Sequence, residues 1–146
     1  MLFIIAASIL LFDQLLKFLS LKYLTLNNSV PLIKGILHLT LVYNRGAAFG
    51  ILKNQVPFFI LTTVAAFFLI CINLKKSGLK KLSLYNLSLI LILAGATGNL
   101  VDRLLFGYVV DFIDLRIWPV FNIADSSITV GAVLLGWDIL KGKSQK

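Results

Sequence analysis

Pro57-Phe-Phe-Ile-Leu-Thr-Thr-Val-Ala-Ala-Phe-Phe-Leu-Ile-Cys-Ile-Asn-Leu74 runs without a charge and is followed at once by Lys75-Lys-Ser-Gly-Leu-Lys-Lys81. A spanning helix needs about 20 mostly apolar residues, and Pro57 sits where a helix tolerates proline, in its first turn. Outward from this stretch, three more segments qualify, at about 2–22, 82–101 and 123–140. The 146-residue chain is 59% hydrophobic and 14% charged, with a mean hydropathy of +0.95. Soluble domains carry about 25% charged residues, and eleven Phe exclude a disordered chain. The reading is an all-α integral membrane protein, one membrane domain over residues 1–146.

The lysines set its expected orientation. Link 75–81 and the tail with Lys141, Lys143 and Lys146 are basic, while 25–56 holds only Lys34, Arg45 and Lys53. The positive-inside rule then places both termini and the 75–81 link in the cytoplasm, and segments 23–56 and 102–122 outside. The net charge of +8 fits anionic lipid headgroups beside apolar spans and predicts no nucleic acid partner. Segment one, holding Asp13, Gln14 and Lys17 without a basic leader, reads as a span and not as a cleavable signal peptide.

The outer segments are not plain loops. Ile36-Leu-His-Leu-Thr-Leu-Val-Tyr-Asn44 alternates, with Leu37, Leu39, Leu41 and Tyr43 on one face, and Tyr108-Val-Val-Asp-Phe-Ile-Asp114 is rich in β-formers. Two short strands on the membrane surface are expected.

The inventory of chemistry is small. The single His38 lies inside the alternating strand, and neither His-Glu-x-x-His nor Gly-x-Ser-x-Gly occurs. Cys71 reads as an inert apolar thiol. No set of His, Cys and carboxylates has metal-ligand spacing, so no metal and no cofactor are expected. All six acids are Asp. Asp13 and Lys17 form an i, i+4 pair, acid first, whose bland role is structural. Asp138, beside Trp137, reads as a solvated helix end. Asp102, Asp111, Asp114 and Asp125 remain near the outer face. Two carboxylates sharing a proton can hydrolyse an amide, one as base and one as acid. Spacing alone does not choose the pair from these four.

Polar and small residues surround them. Tyr43-Asn-Arg-Gly-Ala-Ala-Phe-Gly50 ends the strand with Arg45 free to pair an acid or a carbonyl. Gly95-Ala-Thr-Gly-Asn-Leu-Val-Asp-Arg103 permits close helix approach. Asn122 reads as the N-cap of the fourth helix, with Asp125 at N3 in a capping-box pattern. Buried charges in a small bundle also suit a proton-coupled transporter or a scaffold, but a transporter wants midplane charges or broken helices.

Five motifs, in order, resemble the lipoprotein signal peptidase family (signal peptidase II), bacterial intramembrane aspartyl proteases. They are Asp13-Gln-x-x-Lys17, Asn44-Arg-Gly-Ala-Ala-Phe49, Gly98-Asn-x-x-Asp-Arg103, Gly107-x-Val-Val-Asp-Phe112 and Phe121-Asn-x-Ala-Asp125. The resemblance implies four transmembrane helices with a small extracytoplasmic β-cradle in the bacterial cytoplasmic (inner) membrane. It implies cleavage of prolipoproteins before a diacylglyceryl-modified Cys, with substrate and membrane lipid as partners. By motif position Asp111 and Asp125 correspond to the catalytic dyad. Asn44, Asn99, Arg103 and Asn122 correspond to a polar shell, and Asp102 to a supporting acid. Arg45, Asp13 and Lys17 join the supporting set. Since a helix N-terminus favours an anion by about 0.3–2 kcal/mol, Asp125 is expected to be the resting base and Asp111 the protonated acid.

Overall fold

The computed structural model describes residues 1–46, 54–77 and 83–143. Residues 47–50 of the small-residue turn, Lys53, 78–81 of the lysine link, Leu82 and Lys146 lie outside them. Four long helices carry the chain: α1 (Leu2–Tyr23), α2 (Val56–Ser77), α3 (Leu84–Phe106) and α4 (Ile123–Lys143). All four are long and apolar enough to cross a membrane. Much of their side-chain surface is exposed, Phe3, Leu11, Phe68 and Val133 among it, as a lipid-facing bundle requires. Ser83 caps α3 by accepting the Asn86 N–H. At its far end Gly107 adopts φ +75° and donates its N–H to the Arg103 carbonyl, the left-handed stop that glycine accommodates without a Cβ clash.

The third helix therefore runs five residues beyond the expected end at 101, and Asp102 and Arg103 lie on it rather than on the following segment. Two charges read as a loop in sequence; here Asp102 is neutralised within the bundle by Lys17, 2.9 Å away, so the helix continues.

α3 packs against each of the other helices, most extensively α4. The seam between them is built on small residues. A Cβ on Gly95 would collide with the Ala124 carbonyl oxygen, and one on Gly131 would come within 2.8 Å of the Ser88 carbonyl oxygen. A Cβ on Gly98 would sit 2.7 Å from Asp13 Oδ2. The small residues thus bring α3 against α4 and let the Asp13 carboxylate reach between them.

A three-stranded antiparallel sheet, ordered β1-β2-β3, combines β1 (Ser29–Ile33), β2 (Leu37–Asn44) and β3 (Val109–Asp114). β1 is an addition to the two expected strands: five residues with Pro31, a residue the edge of a sheet accepts because no ladder N–H is required there. β2 also departs from strict alternation. Between the pairs Leu39↔Ile113 and Val42↔Asp111 the register slips, and a bulge shifts the face on which later side chains fall. Thr40 and Leu41 are consequently both buried, while Tyr43 is exposed and stacks on Tyr108 at 4.3 Å. On the other side of β3, Phe121 exchanges backbone hydrogen bonds with Ile113 at 2.8 and 3.0 Å, which delivers Asn122 and the start of α4 beside Asp111.

Candidate active site

Asp111 is 1% exposed, in the run Val109–Phe112 that the sheet buries completely. The strand is held in place from below, since Asp102 Oδ2 accepts the Val110 N–H at 3.0 Å. Asp111 Oδ2 accepts from Asn44 Nδ2 at 2.9 Å, and Asp111 Oδ1 accepts from Asn122 Nδ2 at 2.7 Å.

Asp125 stands in the first turn of α4, where the expected capping box forms. Asn122 Oδ1 accepts the Asp125 N–H at 2.8 Å, and Asp125 Oδ2 accepts the Asn122 N–H at 3.3 Å. Asp125 Oδ1 accepts from Asn99 Nδ2 at 2.7 Å. Asn122 therefore joins the two acids, its amide on Asp111 and its backbone on Asp125. Every oxygen of both carboxyl groups receives an N–H, which favours ionisation, yet two charges so placed oppose each other. At Asp111 burial prevails, reinforced by the Asp125 charge, over the bonds from Asn44 and Asn122 and the attraction of Lys17. Its pKa is pushed up from 3.8 to about 7.

Beneath the pair lies a buried ionic cluster. Lys17, 2% exposed, donates to Asp13 at 2.8 Å, Asp102 at 2.9 Å and Asn99 Oδ1 at 3.0 Å, which engages all three ammonium hydrogens. The i, i+4 pair is thus present, and its acid does more than pair: Asp13 Oδ1 accepts the Ala124 N–H at 2.8 Å, satisfying a free donor at the start of α4. Gln14 was not among the predicted site residues, but it bonds Asp102 Oδ1 at 3.0 Å and the Gly98 carbonyl at 3.2 Å. Its only signal was its place inside the Asp13-Gln-x-x-Lys17 motif.

A cleft of about 350 Å³ opens onto Asp125, lined also by Asn44, Asn99, Arg103, Trp118 and Thr63. Asp111 is not among its lining residues, but its partner Asn44 and Val109 of its own strand are. A second, more apolar cleft of about 430 Å³ adjoins Asp125 from the side of Leu115, Trp118 and Val130. Arg103 lies over the Phe59 ring at 4.9 Å, and its charge attracts Asp125, Asp111 and Asp102. Arg45 is exposed at the end of β2 and forms no ion pair among the described residues.

The other polar residues serve the sheet. Asp114 accepts from Thr40 Oγ1 at 2.7 Å and pairs with Arg116 at 3.0 Å. Burial raises its pKa, but these bonds and the Arg116 backbone N–H outweigh burial and hold it below the ordinary value. His38 is half-buried, as expected. The Gly35 N–H donates to its Nε2 at 3.3 Å and Ser29 Oγ lies 2.8 Å from its Nδ1. Cys71 is half-buried. Among the described residues no three His, Cys, Asp or Glu side chains gather as a metal site.

Fold and site together define a multi-pass membrane protein with an acid pair, enclosed by amides, between a helix bundle and a small sheet. The family model described as signal peptidase (SPase) II matches residues 5–141, and the chain belongs to the signal peptidase II family, a family of proteases. Among its relatives is the lipoprotein signal peptidase of Caldanaerobacter subterraneus subsp. tengcongensis, 50% identical over 135 residues, with 92% of each chain covered. The lipoprotein signal peptidase of Halothermothrix orenii is 48% identical over 136 residues, again with 92% of each covered. A solved structure titled as a bacterial membrane enzyme superposes with a TM-score of 0.93 at 36% identity, over 99% of this chain and 90% of that one.

Proposed function

We propose that this protein removes the signal peptide from prolipoproteins by cleaving before a diacylglyceryl-modified Cys, with Asp111 and Asp125 as an aspartyl dyad. The observation that carries the reading is Asn122, which bonds one acid through its side chain and the other through its backbone. In the reaction, the Asp125 carboxylate in the cleft takes a proton from water, and the water oxygen attacks the scissile carbonyl carbon. The protonated Asp111 passes its proton to the carbonyl oxygen, giving a neutral tetrahedral diol. Collapse of the diol breaks the C–N bond, with a proton delivered from Asp125 to the leaving nitrogen and one returned from the diol to Asp111. The raised pKa of Asp111 and the place of Asp125 at a helix N-terminus support this division of labour. Asn44, Asn99 and Asn122 orient the acids, Arg103 faces the cleft, and Asp13, Lys17 and Asp102 fix the helices behind them.

In this reading residues 1–146 form one membrane domain in the bacterial cytoplasmic membrane. Both termini lie in the cytoplasm, and the site lies at the outer face, where a lipid-linked substrate arrives from the bilayer. The apolar cleft beside Asp125 suits such a substrate. The test is mass spectrometry of a diacylglyceryl-modified prolipoprotein incubated with the purified protein. Cleavage before the modified Cys is expected from the wild type and from Asp138→Asn, and none from Asp111→Asn or Asp125→Asn. An intact substrate with the wild type, or normal turnover by either dyad variant, overturns the proposal.

A further inference from the structure

Three amide side chains point their NH₂ groups at the acid pair, and an asparagine amide can be turned over at little steric cost. What fixes each one is the partner on its oxygen. Asn122 Oδ1 accepts the Asp125 N–H, and Asn44 Oδ1 accepts the Gly46 N–H at 2.9 Å; both are backbone donors, which no substitution removes short of proline. Asn99 Oδ1 differs. It accepts from Asn122 Nδ2 at 3.1 Å and from Lys17 Nζ at 3.0 Å. An ammonium group has three donors and no acceptor, so a turned Asn99 would set its NH₂ against the buried cation.

We propose that Lys17 is a positioning residue that fixes the sense of the Asn99 amide, so that Asp125 always meets an N–H donor and serves as the acceptor, hence the base, of the pair. With Lys17 absent Asn99 Oδ1 keeps only Asn122 Nδ2, whose two hydrogens are also claimed by Asp111 Oδ1 at 2.7 Å and the Val110 carbonyl at 3.2 Å. The amide can then turn, its carbonyl oxygen facing Asp125, a contact favourable only when that carboxyl carries a proton. The roles of acid and base are then no longer distinguished. The charged groups around this junction are Asp13 and Lys17 on α1, Asp102 and Arg103 on α3, and Asp111 on β3. The inference rests on the dyad reading above and adds to it which group sets the proton's place.

The test is the pH profile of kcat/KM for cleavage of a diacylglyceryl-modified prolipoprotein, in a cycle of Lys17→Met, Asn99→Leu and the double variant. Lys17→Met is expected to move the low-pH limb upward by about one pH unit while lowering kcat more than it changes KM. In the Asn99→Leu background the same substitution should move the limb clearly less, through loss of the direct attraction of the Lys17 charge alone. Lys17→Arg, which also has donors only, should keep the wild-type limb. If Lys17→Met does not fold, Lys17→Gln takes its place: it keeps a donor for the aspartates but offers Asn99 an acceptor as well, and the same movement is expected. A limb that stays put in Lys17→Met or Lys17→Gln overturns the inference. So does one that moves equally with and without Asn99, because the lysine charge would then act only directly through space and not through the amide. Either result with Asp125→Asn still inactive leaves the dyad reading standing; an active Asp125→Asn removes the dyad reading itself.

Discussion

Asp111→Asn separates the chemistry of this carboxyl from its cost to the fold. Burial lifts its pKa from 3.8 to about 7, so between those values the folded protein holds a proton that the unfolded chain has released. A raised folded-state pKa contributes stability that is complete below the unfolded value and is lost as pH rises through the folded one. The rise, at 1.36 kcal/mol per pH unit, corresponds to about 4 kcal/mol lost between roughly pH 4 and pH 7. Asparagine has no such proton, so this loss is absent from the variant. It carries a different, pH-independent cost. Asn44 and Asn122 each donate to one Asp111 oxygen, and the new NH₂ must oppose one of them, at about 1–3 kcal/mol for an unsatisfied buried donor. The variant should therefore unfold below the wild type at pH 4.5 and match or exceed it at pH 8. Thermal unfolding in detergent over that range measures the crossing, with hydrolysis absent throughout. A difference between the two proteins that is constant with pH would refute the reasoning. The same titration predicts that wild-type turnover falls as pH rises past about 7, when Asp111 loses the proton it donates.

Gly95→Ala should destabilise the α3–α4 seam by about 1–3 kcal/mol, because its Cβ meets the Ala124 carbonyl oxygen. Gly136→Ala has open space around its Cβ and should gain up to about 1 kcal/mol from helix propensity; thermal unfolding compares them. A topology reporter after Ser77 or at the C-terminus should read cytoplasmic, and one near Asn28 extracytoplasmic, with reversal contradicting the proposed orientation. Hydrolysis should survive EDTA, and loss on chelation restored by Zn²⁺ would contradict an aspartyl mechanism.

The four helices were legible because apolar length is a property of each segment alone. Asn122 and Asp125 were legible as a cap for the same reason, since their bonds close within four residues. What escaped the sequence depended on partners far along the chain. Asp102 and Arg103 read as a helix end by local polarity, whereas in the fold the charge of Asp102 is met by Lys17 on another helix and Arg103 lies over the Phe59 ring. The β2 bulge exists in the register against β3 and has no trace in the alternation of 36–44. β1 is short, carries Pro31 and gains its strand geometry from β2. Asp13 was readable as the partner of Lys17, four residues away, but not as the group that receives a backbone N–H of the fourth helix.

That last bond, from the Ala124 N–H to Asp13, has a consequence for how the protein is made. The first helix leaves the ribosome before the fourth exists, and a charged residue within a spanning helix is costly to place in the bilayer, by up to about 2.5–3.5 kcal/mol at its centre. Asp13 and Lys17, one turn apart on the same helix, need no other segment to pair, so a first helix inserting alone would carry a neutral dipole instead of two separate ions. In the assembled bundle the same pair also meets Asp102 and Asn99 of α3 and the Ala124 N–H of α4. A pair that the first helix can form by itself is thus also the contact against which the carriers of the site are seated.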